Sequence, residues 1–170
     1  MRVTEYRHRG LLYRALNPVF AREPLSGRGA ELYGGRFNRK GTAALYTALS
    51  PETAIREANQ VGHLQPTLLL AYDADISPIF DTRDGAALAG WSMTADALAD
   101  PDWRRKMTDG GKVPTQEFAA QLAEDGYVGL LVRSFAPGTT PDHLNAVLWR
   151  WNTGGSDRLS LIDDEKRLLS

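Results

Sequence analysis

Apolar and polar positions along the chain fall into short blocks with two different periods. Residues 10–16 (GLLYRAL) form an apolar run stopped by Asn17-Pro18. They predict a strand with Leu12, Arg14 and Leu16 on one face. Residues 43–49 (AALYTAL) predict another, because Ala44, Tyr46 and Ala48 alternate with Leu45, Thr47 and Leu49. Ser50-Pro51 then has the chemistry of an N-cap followed by a first helical residue. The helix is expected to run to about Val61-Gly62, with Pro51, Ala54, Ile55, Ala58 and Val61 as its apolar stripe. Glu52, Arg56, Asn59 and Gln60 would face water, and Glu57 lies at the edge of the stripe.

Residues 65–73 predict a buried strand. The stretch 84–113 lacks clear periodicity and is expected to form short helices and loops, an excursion from the core. Residues 114–124 predict an amphipathic helix with Thr115 as N-cap, Phe118 and Leu122 inward and Gly126 as the stop. Residues 127–135 predict a central strand, with Ser134 on the face of Val128, Leu130 and Val132. Two more strands are expected, at 143–152 and 158–162. Strands outnumber helices and do not alternate strictly with them. The pattern therefore favours α+β, with a split, mainly antiparallel sheet and flanking helices, over a doubly wound fold.

Composition narrows the chemistry. A chain of 170 residues, 42% hydrophobic and 24% charged, suits one globular domain spanning 1–170. A domain of this size needs no metal or disulfide to be stable. With no cysteine, thiolate zinc sites, iron–sulfur clusters and cysteine nucleophiles are excluded. His8, His63 and His143 are far apart, without His-x-x-x-His spacing, so no metal is expected. The apolar runs are too short to cross a bilayer and the first residues contain no apolar leader, so a cytoplasmic protein without membrane contact is expected. A net charge of −1 argues against direct nucleic-acid binding.

That balance hides a bias. Sixteen of the 20 basic residues are arginine, and eight of these fall within the first 39 positions. Guanidinium forks suit bidentate contact with phosphate or carboxylate. Arg14, between two leucines, either snorkels to water or meets an anion. Gly34-Gly35-Arg36-Phe37-Asn38 is neither a Walker loop nor a dinucleotide fingerprint. Its glycines allow either a tight turn or close approach to a ligand. Tyr46, among small neighbours, is either core or ligand-facing. Glu57 is either a surface carboxylate with an i,i+4 partner or an acid pointing into a cleft. Trp103, followed by Arg104-Arg105-Lys106, marks either an anion or partner surface or an anchor for the excursion.

Taken in order, several of these segments resemble the RES domain family. They are Tyr13-Arg14-Ala15, then Gly34-Gly35-Arg36-Phe37-Asn38 with Gly41, then Leu45-Tyr46, Ser50, Ala54 and Glu57. Arg133-Ser134 and Leu144-Asn145-Ala146-Val147-Leu148 are similar to the family's C-terminal motif. Phe37 stands where a Trp is more usual, a change of packing more than of chemistry. The resemblance covers most of the chain except about 84–113. It implies a fold similar to the ADP-ribosyltransferase toxins and a bacterial toxin that consumes NAD+, held inactive by an Xre-type helix-turn-helix antitoxin. By position, Arg14, Glu57 and Ser134 correspond to the arginine, glutamate and serine that give the family its name. Catalysis would then fall to Glu57, Arg14 and Tyr46, and dinucleotide binding to Arg14, Arg36, Tyr46, Ser134 and Asn145. Tyr46 would stack on the nicotinamide ring, and Ser134 would bond the ribose or carboxamide. NAD+ would be the substrate, with no metal. The resemblance favours transfer of ADP-ribose to a cellular protein, with nucleotide-synthesis enzymes as the kind of target. Hydrolysis or phosphorolysis of NAD+ is the alternative, and a non-catalytic nucleotide- or partner-binding module is the second.

Overall fold

The structure, a computed structural model, describes residues 5–59 and 63–168. Its elements run β1 (Tyr6–Leu16), α1 (Arg28–Tyr33), β2 (Leu45–Ala48), α2 (Pro51–Ala58) and β3 (Leu68–Asp81). Then come α3 (Gly85–Gly90), α4 (Ala95–Leu98), α5 (Trp103–Thr108), α6 (Pro114–Glu124), β4 (Gly129–Arg133), β5 (Leu144–Leu148) and β6 (Asp157–Leu161). The architecture is α+β: one sheet of six strands with flanking helices.

The sheet order is β1-β2-β5-β4-β3-β6, and β1 also pairs with β3. The first five strands thus close a ring, with β6 added to the far edge of β3. Among the described residues only the β3–β4 pairing is parallel. The long seam is β1 against β3, in one register from Leu16↔Leu68 to His8↔Ile76, with a shift before Tyr6↔Ile79. The join of β1 to β2 is a single pair, Tyr13↔Ala48.

Alternation along these strands builds two cores. On one side Leu12, Leu45, Tyr72, Ile76, Ile79, Leu131 and Leu148 are fully buried together. On the other, Phe80, Leu88, Leu98, Phe118, Leu122, Tyr127 and Leu130 pack the helices onto the sheet. Phe80 meets Trp91, Phe118 and Tyr127 edge-on, the geometry that ring quadrupoles favour.

Several expectations change. The turn-rich stretch 21–42 contains α1, a helix of six residues without a side-chain N-cap bond. The strand expected at 65–73 continues to Asp81, through Pro78. The 84–113 segment forms short helices, but its Leu88, Met93 and Leu98 belong to the core. The N-cap of α6 is Val113, because the Thr115 hydroxyl donates instead to the Arg36 carbonyl, 2.6 Å away. The described part of α2 ends at Ala58, with Asn59 as its cap, and the expected end near Val61-Gly62 lies outside the described residues.

Candidate active site

The register of α2 decides where its carboxylate points. Ser50 caps the helix, its hydroxyl accepting from the Thr53 amide at 3.2 Å. The buried face is Thr53 and Ala54, whereas Pro51, Ile55 and Ala58 are exposed. The stripe expected from hydropathy is therefore rotated. The helix lies on small neighbours (Ala15 and Ala48 line the same cavity as Ala54), so Glu57 one turn on faces the sheet rather than solvent.

Glu57 is half-buried and bonded from two distant segments. The Ser134 hydroxyl donates to its Oε1, and the Asn145 side-chain amide donates to the same oxygen at 2.9 Å. Pairing of β4 with β5 places those donors together, since Val132 stands opposite Asn145 and the Ser134 amide donates to the His143 carbonyl. Ser134 is 1% exposed, with its hydroxyl also accepting from the Ala136 amide. Its observed partner is Glu57, and among the residues facing the main cavity Asn145 appears but Ser134 does not. The Oδ1 of Asn145 is buried without a hydrogen-bond partner among the described residues.

Opposite Glu57 lies the glycine segment. Gly35 and Asn38 bond each other across a tight turn. Tyr46 holds that turn from β2: its hydroxyl donates to Asn38 Oδ1 at 2.6 Å and accepts from the Phe37 amide at 3.0 Å. Asn38 in turn donates to the carbonyls of Ala30 and Thr42. Trp149 donates to the Phe37 carbonyl and Gln116 to that of Gly35. A Cβ at Gly35 would lie 2.3 Å from the Tyr46 hydroxyl, so only glycine fits. Burial pushes the Tyr46 hydroxyl above its ordinary value of 10.0, so it stays neutral and serves as a strut. Its half-buried ring faces the cavity. Phe37 itself is core, 3% exposed.

The cavity between these walls has a volume of about 370 Å³, within the usual range for small-ligand sites. Its charged lining is Arg14, Arg36, Arg104 and Arg133 against one carboxylate, Glu57. Arg14 comes from β1, half-buried between the buried positions Leu12 and Leu16. Its Nη1 donates to the Pro24 carbonyl at 3.3 Å, which also accepts from the Tyr72 hydroxyl at 2.6 Å. Arg36 donates from Nη1 to the carbonyls of Leu98 (3.0 Å) and Asp100 (2.7 Å). Its guanidinium lies 4.8 Å from the Phe135 ring centre and 5.8 Å from that of Trp103. Burial lowers its affinity for a proton, opposed by the fields of Glu57 and Asp100.

All six expected site residues converge here, with Ser134 behind Glu57 rather than at the cavity surface. Sequence reasoning did not place Arg104 or Arg133 in the site. Both were visible, Arg104 beside Trp103 and Arg133 before Ser134, but the fold is what brings them to one mouth. A second cavity, of about 380 Å³, adjoins the first through Arg133, Ser134 and Phe135 and reaches Asp96 and Thr139. Among the described residues, no group of three or more His, Asp or Glu could hold a metal ion, and no helix is long and apolar enough to cross a membrane.

The family model of the RES domain matches residues 11–168. Among solved structures, a chain of the M. tuberculosis MbcT–MbcA toxin–antitoxin complex is similar, with a TM-score of 0.60 at 20% identity over 94% of this chain and 83% of that one. No curated protein matches.

Proposed function

The chain belongs to the RES domain family, and from that premise we propose that it is a toxin enzyme that cleaves the nicotinamide–ribose bond of NAD+ and passes ADP-ribose to a cellular protein. The observation that carries this reading is Glu57, fixed by Ser134 and Asn145 in a cavity whose other charged lining residues are arginines and which Tyr46 also faces.

The chemistry follows from the substrate. Nicotinamide leaves NAD+ as a neutral base, so the departing group needs no general acid. One carboxylate then suffices, unlike the pair that ordinary glycosides require. Breaking the C1′–N bond leaves positive charge on the ribose ring. Glu57 stabilises that charge electrostatically and accepts a hydrogen bond from the 2′-hydroxyl. Ser134 and Asn145 hold the carboxylate oriented before the substrate arrives. The Tyr46 ring packs on nicotinamide, and its buried hydroxyl takes no part in proton transfer. Arg14 and Arg36 add positive potential for the anionic half of the dinucleotide. An acceptor side chain then attacks C1′ and loses its proton to solvent. An Xre-type antitoxin seated over the cleft would keep the enzyme silent; the similar fold found in a toxin–antitoxin complex supports an antitoxin partner.

Purified protein incubated with NAD+, with and without cell lysate, is the test. Nicotinamide release that requires lysate, together with a labelled protein band, is the expected result. Release without lysate assigns the site to hydrolysis, or to phosphorolysis where phosphate is needed. Binding of NAD+ without release leaves a binding module. Glu57→Ala is expected to lower release about a thousandfold or more while the fold is retained; unchanged turnover removes Glu57 from the mechanism.

A further inference from the structure

We propose, resting on the dinucleotide reading above, that Arg104 grips the diphosphate of the bound dinucleotide. The 84–113 segment would thus supply a binding residue as well as a wall.

Three cations follow Trp103, and two are already matched. Arg105 lies 3.4 Å from Asp102 and 3.6 Å from Asp109. Lys106 pairs with Asp100 at 2.5 Å. Arg104 has no ion pair or hydrogen bond among the described residues, and it faces the cavity. Its guanidinium is held over the Trp103 ring at 4.7 Å. Trp103 is 8% exposed and so is itself fixed by packing. Stacking of this kind orients a guanidinium while leaving its edge N–H groups open to a ligand.

The other arginines are engaged differently. Arg14 shares the Pro24 carbonyl with Tyr72, and Arg36 clamps two main-chain carbonyls beneath Phe135. Arg36 also feels the like charge of Arg104, a repulsion that a bound anion between or beside them would relieve. Position agrees with charge. Glu57 and Tyr46 are half-buried, where the nicotinamide ribose belongs, whereas Arg104 is exposed at the mouth, where the next part of the molecule must pass. A diphosphate carries two permanent negative charges, and a fork is the geometry that meets two oxygens at once.

ADP-ribose is the probe, because it carries the diphosphate and binds without turnover. Calorimetric dissociation constants are measured for the full chain, Arg104→Ala, Arg104→Lys and the same-helix control Arg105→Ala. Arg104→Ala is expected to weaken ADP-ribose about 10- to 100-fold, the loss of one or two charge-assisted bonds. Arg104→Lys should recover part of this and Arg105→Ala none of it, with the thermal midpoint of each variant unchanged. Arg104→Ala should also raise KM for NAD+ and leave kcat alone, which a structural defect would not do. Equal affinity in wild type and Arg104→Ala overturns the assignment, as does an equal loss in Arg105→Ala. Normal nicotinamide release by both wild type and Arg104→Ala, at unchanged KM, sinks Arg104 alone. A wild type that neither binds ADP-ribose nor releases nicotinamide sinks the dinucleotide reading and Arg104 with it.

Discussion

At the scale of the residue, the central fact is that one carboxylate oxygen accepts from two side chains far away in sequence. Ser134 and Asn145 touch Glu57, so their effect on chemistry passes through it. Ser134→Ala and Asn145→Ala are each expected to lower kcat about 10- to 100-fold with little change in KM, measured as nicotinamide release. They should differ in stability. Ser134 is fully buried and bonded on both sides, so its loss destabilises by about 1–2 kcal/mol. Asn145 already leaves a buried oxygen without a partner among the described residues. Removing that atom returns what removing the amide loses, so a urea titration should find Asn145→Ala nearly neutral. Equal destabilisation by both would contradict this account. Arg14, Tyr46 and Glu57 were legible as residue types with chemical potential, but no spacing in the chain separates a surface glutamate from this one. The decision is made by the phase of α2. Hydropathy put Ile55 and Ala58 inward, whereas the close approach of Thr53 and Ala54 to the sheet turns the helix so that Glu57 enters the cavity.

At the scale of the element, Arg36 ties the 84–113 segment to the glycine turn. Arg36 reaches from the glycine turn to the carbonyls that end α4, and its own carbonyl accepts from Thr115 at the start of α6. It therefore joins three pieces that share no strand pairing. Arg36→Ala is expected to loosen α4 and α5 first, at about 1–3 kcal/mol. Limited proteolysis within 84–113 should quicken, with cuts elsewhere at their former rate. The central strands and α6 could be read from sequence because their periods are long enough to show. The segments α1, α4 and α5 have six, four and six residues, below the length at which helical period or intrinsic propensity speaks. Leu98 of α4 and Trp103 of α5 are buried, so packing rather than intrinsic propensity holds these two turns, while α1 carries no buried residue. The extension of β3 past Asp73 was hidden by Pro78, which ordinarily argues for a strand's end. Here its carbonyl still accepts from the Val128 amide.

At the scale of the whole molecule, charge is sorted rather than large. A net −1 coexists with a cavity lined by four arginines and one glutamate. Such a field draws anions from a distance and weakens as salt screens it over about 8–10 Å at ordinary ionic strength. KM for NAD+ should rise as salt is raised from low concentrations, while kcat stays level, since Glu57 acts at contact. A KM indifferent to salt would show that the arginines serve only to hold the fold.

The ring of strands has one weak stitch, the lone Tyr13↔Ala48 pair between β1 and β2. Both residues border the cavity. A molecule seated there bridges the two sides of the stitch, so the ligand acts as a clasp on the barrel's least secured join. Occupancy should therefore slow amide exchange along β2 more than along the β1–β3 seam and raise the melting temperature by ordinary linkage. By the same coupling, whatever pries β2 from β1 would empty the pocket without touching the carboxylate inside it.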